Sequence, residues 1–307
     1  MTKEEMFMDE LAYYAAQSPI TDPGREAKLL VDLPATIPAL CGVVQGLYVH
    51  YQGAERYGYK IPPERLLEVD LRYVELMLAR IVELDDRPLV AARPPERRLV
   101  GCCRDAATLL CALARHQGIP TRVRFGFAAY FKDPEPGFLP SHVIAEFWDA
   151  RQSRWRLADP ELDEAAVQEH GIGFDVCDVP RDAFLTAGEA WHRCRAGAVD
   201  PDRFGVYSGG SMRGLPFVRG NLIEDLAAQN KIELLCWDAW GLMLRGMGAL
   251  SDAELELLDR AAALTEAGSD SLPQVRAFYE ADPRLKVPSS VVCYSPVGPT
   301  SEVTLRV

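Results

Sequence analysis

Residues 101–120 read GCCRDAATLLCALARHQGIP, followed by SHVIAEFWD at 141–149 and WRLADP at 155–160. Within the first stretch, Ala107, Leu110, Cys111 and Ala114 fall three and four residues apart, which predicts a helix over 103–117, and Gly118 and Pro120 supply its stop. The next segment, TRVRFGFAAYF at 121–131, is rich in Val, Phe and Tyr with partial alternation, the mark of a strand. After a loop holding Pro134, Pro136, Gly137 and Pro140, residues 142–148 and 155–157 read as two strands of a hairpin around the polar turn DARQSR. One helix beside a small antiparallel sheet is therefore the centre of the chain.

Outward from this centre the pattern is helical. Apolar residues at helical spacing predict a helix over 4–17, Asp22-Pro23 opens a second, an apolar run at 37–51 carries Gln45, Tyr48 and His50, and 63–84 reads as one amphipathic helix. The segment RPPERR at 93–98 interrupts the series and marks a boundary. Beyond Asp159 a short helix near Ala165 is followed by helices over 181–195 and 216–229. Ser251-x-x-Glu254 is the capping box of a further one, and YSGGSMRG at 207–214 is a flexible loop. The reading is an α+β fold: a helical segment 1–95, a core 96–170 and a mostly helical segment 171–307, joined in one globular unit.

Composition narrows the function classes. With 45 Asp and Glu against 33 Lys and Arg, the net charge of -12 opposes a nucleic-acid backbone, so no nucleic-acid partner is expected. The start, MTKEEMFMDELAYYAAQ, has no cationic stretch leading into an apolar one, and no segment reaches the ~20 apolar residues of a membrane span, so a cytoplasmic protein without membrane attachment is expected. Eight cysteines scattered through the chain suggest free thiols rather than a disulfide framework. CxxC and HExxH are both missing, so the sequence offers no support for a structural zinc, and no cofactor is expected.

The chemistry concentrates in three residues. Cys103 sits at the predicted helix start, where unpaired amides and the dipole favour a thiolate. His142 begins the following strand and can act as its base, and Asp159 closes the next strand and can orient the imidazole. These residues and their settings resemble the transglutaminase-like core: Gly-x-Cys-x-Asp opening a helix, His at the start of a strand, and Asp after a tryptophan-containing strand. The resemblance spans residues 96–165 and extends in detail to bacterial transglutaminase-domain proteins. It implies a Cys-His-Asp triad that forms an acyl-enzyme from an amide, peptide, ester or thioester carbonyl, a small-molecule or peptide substrate, and no metal.

Two adjacent thiols compete for the nucleophile's position, and the Gly-x-Cys-x-Asp register selects Cys103. Side chains of neighbouring helical residues point about 100° apart, so Cys102 is expected to face away from the cleft. Asp105 suits the first helical turn and Arg104 an ion pair. The first tryptophan is Trp148, too late to serve as an upstream oxyanion donor, so Gln45 is the substitute candidate for the donor and Tyr48 a second cleft residue, whereas His50 is expected to face elsewhere. Arg219, Trp237 and Trp240, in a polar and aromatic segment beside the glycine loop, are candidate substrate contacts. Two rivals remain: a non-catalytic protein that binds a peptide or small amide in the same cleft, and a zinc hydrolase with Cys103, His142 and Asp159 as ligands. Oligomeric state is left open.

Overall fold

A computed structural model describes residues 2–245, 250–267 and 271–306. It opens with α1 (Lys3–Ala15), where Thr2 and Glu5 exchange the two hydrogen bonds of a capping box. Helix α2 (Ile37–Leu47) ends earlier than the apolar run predicts. Tyr48–His50 instead forms strand β1, paired in parallel with β2 (Leu99–Gly101). An aromatic and a β-branched residue suit a strand once a partner is present, and the local pattern carries no sign of that partner. The predicted helix over 63–84 likewise divides into a 3-10 stretch, Pro63–Asp70, and α3 (Val74–Leu84). Tertiary contacts account for the break: Arg72 forms a two-bond ion pair with Asp238 at 2.9 and 2.7 Å, and its carbonyl accepts from Arg104 at 2.7 Å.

The centre matches the sequence reading. Helix α4 (Cys103–His116) precedes strands β3 (Thr121–Ala128), β4 (Leu139–Asp149) and β5 (Arg154–Ala158), then the short α5 (Glu164–His170). Strand β6 (Phe184–Thr186) adds to the antiparallel sheet in the order β5-β4-β3-β6, so the helix predicted over 181–195 starts only at α6 (Ala187–Arg195). Strand β7 (Phe204–Gly205) pairs with the beginning of β4, and α7 (Leu215–Gln229) packs against β3. The fold is thus α+β, with helices before and after the sheet. The remaining elements are β8 (Asp238–Ala239), α8 (Asp252–Thr265) with the predicted Ser251–Glu254 box, α9 (Leu272–Ala281), β9 (Ser290–Cys293) and β10 (Ser301–Thr304). β8, β9 and β10 make a second antiparallel sheet within the segment expected to be mostly helical.

Packing fixes α4 in place. Its residues from Ala106 to Ala114 share one apolar core with Val123 and Phe125 of β3 and Val143 and Ala145 of β4. Each large side chain enclosed there contributes about 1.5–3 kcal/mol relative to exposure, so the helix cannot slide along the sheet without losing several such terms. Arg124 of β3 is buried too, and its charge is met by Asp225 of α7 at 3.0 Å and Glu146 of β4 at 2.9 Å. Burying an unpaired guanidinium would be prohibitive, so this network locks α7 to the sheet. Among the described residues, no helix is long and apolar enough to cross a membrane.

Candidate active site

The start of α4 explains the spacing of Gly101, Cys103 and Asp105. Asp105 Oδ2 accepts the Cys102 backbone N–H at 2.8 Å, closing the first turn back on its cap. A Cβ at Gly101 would lie 2.7 Å from that same oxygen and 3.2 Å from the Tyr48 ring, so only glycine admits the closure. The consequence is that Cys103 is the first residue of the helix, at the positive end of its dipole. Asp105 therefore has the structural role expected, and Arg104 is buried and paired with it at 2.9 Å.

Cys102 does not turn away. It caps the helix with extended backbone, φ -122° and ψ 179°, and the 100° rule for successive helical residues does not apply to a cap. Both cysteines line the cavity, and their sulfurs lie within 4.8 Å of each other and of a third, Cys236.

His142 is the fourth residue of β4 rather than its first, because pairing with β7 extends the strand back to Leu139. A ring nitrogen of His142, the sulfur of Cys103 and a carboxylate oxygen of Glu161 all lie within 4.8 Å of one another. On its far side, His142 Nε2 is 2.7 Å from Asp159 Oδ2, which leaves Nδ1 for the sulfur. Asp159 follows β5 directly and is fully buried. Its Oδ2 also accepts from the Tyr130 hydroxyl at 2.7 Å, and its Oδ1 from the Glu161 backbone N–H at 3.0 Å. The Phe131 ring meets the imidazole edge-on at a centroid distance of 4.8 Å, which restricts its rotation.

Electrostatics follows from these contacts. Hydrogen bonds from Cys102, then from Cys236 and His142, hold the Cys103 thiol well below the ordinary value against the opposing effect of burial. The same sharing pushes Cys102 up to about 11. Of the three thiols, Cys103 is the one grouped with an imidazole, so the anion belongs there. Burial alone would lower the imidazole's pKa, but the Asp159 carboxylate and then Cys103 outweigh it and raise His142 well above its usual value. The result is an environment for a thiolate beside an imidazolium.

The cavity in front of the sulfur has a volume of about 340 Å³, within the range of small-ligand sites. Trp237 lines it, as does His50, which the helical reading had facing elsewhere; β1 turns it in. The Trp237 indole N–H donates to Asp70 at 2.8 Å. Gln45 and Tyr48 line a separate small pocket, where the Gln45 amide donates to the Leu162 carbonyl at 3.1 Å and the Tyr48 hydroxyl is buried without a hydrogen-bond partner among the described residues. Trp240 lies in the core, donating to the Leu285 carbonyl at 2.9 Å, and Arg219 is buried on α7. These two are brought to the packing of the C-terminal elements rather than to the cavity.

Tyr130, Glu161 and Cys236 are site residues that sequence reasoning missed. Tyr130 closes the predicted strand and Glu161 follows Asp159-Pro160, positions where a scan for polar groups flanking the triad would have found them. Cys236 carries no local signal. Among the described residues, two groupings have ligand atoms close enough for one metal ion, Cys102 with Cys103 and Cys236, and Cys103 with His142 and Glu161. The rival set of Cys103, His142 and Asp159 is not among them, because Asp159 meets Nε2, on the side of the imidazole away from the sulfur.

The family model described as Transglutaminase-like superfamily matches residues 77–160, which include Cys103, His142 and Asp159. No curated protein and no solved structure matches the chain. From the helix-start cysteine, the antiparallel sheet that carries the histidine and the family match together, residues 77–160 are a transglutaminase-like superfamily domain.

Proposed function

We propose that this protein is a thiol-dependent acyl-transfer enzyme or hydrolase acting on an amide or peptide carbonyl, or on an ester or thioester. The observation that carries the reading is the meeting of a helix-start thiol with an imidazole held from behind by a buried carboxylate at 2.7 Å. Cys103 attacks the carbonyl carbon as thiolate, and the carbon–oxygen double bond opens to an oxyanion. The Cys103 backbone N–H, at the first position of the helix, is the donor assigned to that oxygen. His142 then gives its proton to the leaving amine, alcohol or thiol as the bond to it breaks, which leaves a thioester on Cys103. Water or an amine adds to the thioester, His142 takes the incoming proton, and the thiolate departs. Asp159 keeps the imidazole in one tautomer and stabilises its charged form throughout.

The test is mass spectrometry of the intact protein after incubation with a pool of peptides and acyl metabolites, with Cys103→Ala in parallel. A mass increase mapped to Cys103, missing from the variant, is the expected result, and the added mass identifies the acyl group. Binding of pool members without any adduct, equal in both proteins, would favour a non-catalytic binding protein instead.

A further inference from the structure

We infer that Cys102, Cys103 and Cys236 form a binding site for a thiophilic divalent cation of the zinc class, and that the ion silences the nucleophile when it binds. Three sulfurs from two distant segments lie within 4.8 Å of one another at the wall of an open cavity. In a tetrahedral thiolate site each sulfur stands about 2.3 Å from the ion, which puts the sulfurs about 3.8 Å apart, so little closing is needed. A donor set made only of sulfur selects soft d10 ions over calcium or magnesium.

The juxtaposition is built rather than incidental. Arg104, next to the nucleophile, grips the segment that leads to Cys236 by donating from Nε to the carbonyls of Glu233 and Leu234 at 3.0 and 3.1 Å. On the other side of Cys236, Trp237 is tied to Asp70, its carbonyl accepts the Tyr294 N–H at 2.8 Å, and Asp238 is paired with Arg72. Both flanks of Cys236 are thus anchored to the elements around α4. The alternative grouping of Cys103 with His142 and Glu161 offers one sulfur beside nitrogen and oxygen donors, whereas the three-sulfur set is uniform and selects the softer ion.

As the ion binds, each thiol that joins it releases its proton to solvent while its sulfur–metal bond forms, and the fourth coordination position opens to the cavity. The Cys103 lone pair needed for attack is then committed to the metal. That last consequence rests on the proposed acyl chemistry; the site itself does not.

Titrating the full chain with cadmium ion, read by the sulfur-to-cadmium charge-transfer absorbance, tests the site without any substrate. One ion per chain is expected, with Cys236→Ser and Cys102→Ser each lowering the absorbance by about one third and the affinity by at least about tenfold. Cys194→Ser, on α6 outside the cavity, should change neither, and circular dichroism checks that each variant is folded. The proposal is overturned by no charge-transfer band, by a band that both serine variants leave unaltered, or by a band that survives Cys236→Ser and disappears in Glu161→Gln. Cadmium binding without any acyl adduct would remove the acyl reading and leave the metal site standing, and the reverse outcome would do the opposite.

Discussion

Among the described residues, cysteine sulfurs gather in two places, a pair in the core and a trio at the cavity, and the two have different surroundings. Cys41 and Cys177 approach to 3.8 Å inside the apolar core, both buried. Contact with Cys177 and then burial push the Cys41 thiol well up, and the same contact lowers Cys177, but among the described residues the grouping of a thiol with His142 occurs elsewhere. Cys102 and Cys103, with sulfurs within 4.8 Å, stand instead at a helix start and face a cavity, where Cys103 has an imidazole with its own carboxylate beside it. Sulfur contact divides the thiols of both groups, and what the core pair lacks is the helix start and the imidazole that stand beside Cys103.

The largest expected effect that tests this contrast is a pair of alanine variants. Cys103→Ala should reduce turnover by on the order of 10^4-fold or more, measured as single-turnover acylation with the substrate found by adduct mapping. Cys41→Ala should leave turnover near that of the parent and cost about 1–2 kcal/mol in denaturant unfolding, since only packing is removed. Equal kinetic losses in the two would erase the distinction.

Asp159→Asn should come next, at about 10^2- to 10^4-fold in kcat, because an amide can hold the ring in the wrong tautomer and no longer stabilises the imidazolium. The thiolate–imidazolium pair exists between the lowered pKa of Cys103 and the raised pKa of His142, so activity falls as pH drops through the first and again as pH rises through the second. Losing the Asp159 charge lowers the imidazole's value and should narrow the window from its alkaline side. A pH profile reads this directly.

Alkylation sharpens the comparison at the level of single thiols. At about pH 6, iodoacetamide should label Cys103 at least about tenfold faster than Cys41 or Cys177, with peptide mapping as the readout. The rate should decline as pH falls through the depressed Cys103 value. The smallest effect belongs to Tyr130→Phe, which removes one of the hydrogen bonds to Asp159 and should lower kcat by roughly three- to tenfold while leaving the fold intact.

Much of this was legible before any coordinates. The α4 stripe, its glycine and proline stops and the three triad residues each announce themselves locally, since capping, helix periodicity and strand alternation act over a few residues. What escaped depends on contacts between distant segments. Tyr48 and His50 sit in an apolar run that reads as helix until β2 is there to pair with it. The break after Asp70 is imposed by Asp238 and Arg104. Cys236 reaches the site because Arg104 holds the preceding carbonyls and Asp70 and Arg72 hold the two residues that follow, and Cys102 faces the cavity because a cap residue obeys its own backbone geometry. Gln45 shows the converse: a polar residue on an apolar helix promised a donor, and the donor was spent on a neighbouring carbonyl.

The parallel pairing of β1 with β2 makes the nucleophile's helix dependent on residues well upstream of the family match. Tyr48 to His50 hold Leu99 to Gly101 in register, and Tyr51 adds a bond from its N–H to the Gly101 carbonyl at 2.8 Å, one residue before the cap of α4. A fragment trimmed to residues 77–160 would expose that strand edge and would strand the Arg124 guanidinium without Asp225. The proposed triad is therefore held by elements on both sides of the matched segment, and its geometry would not survive excision of that segment alone.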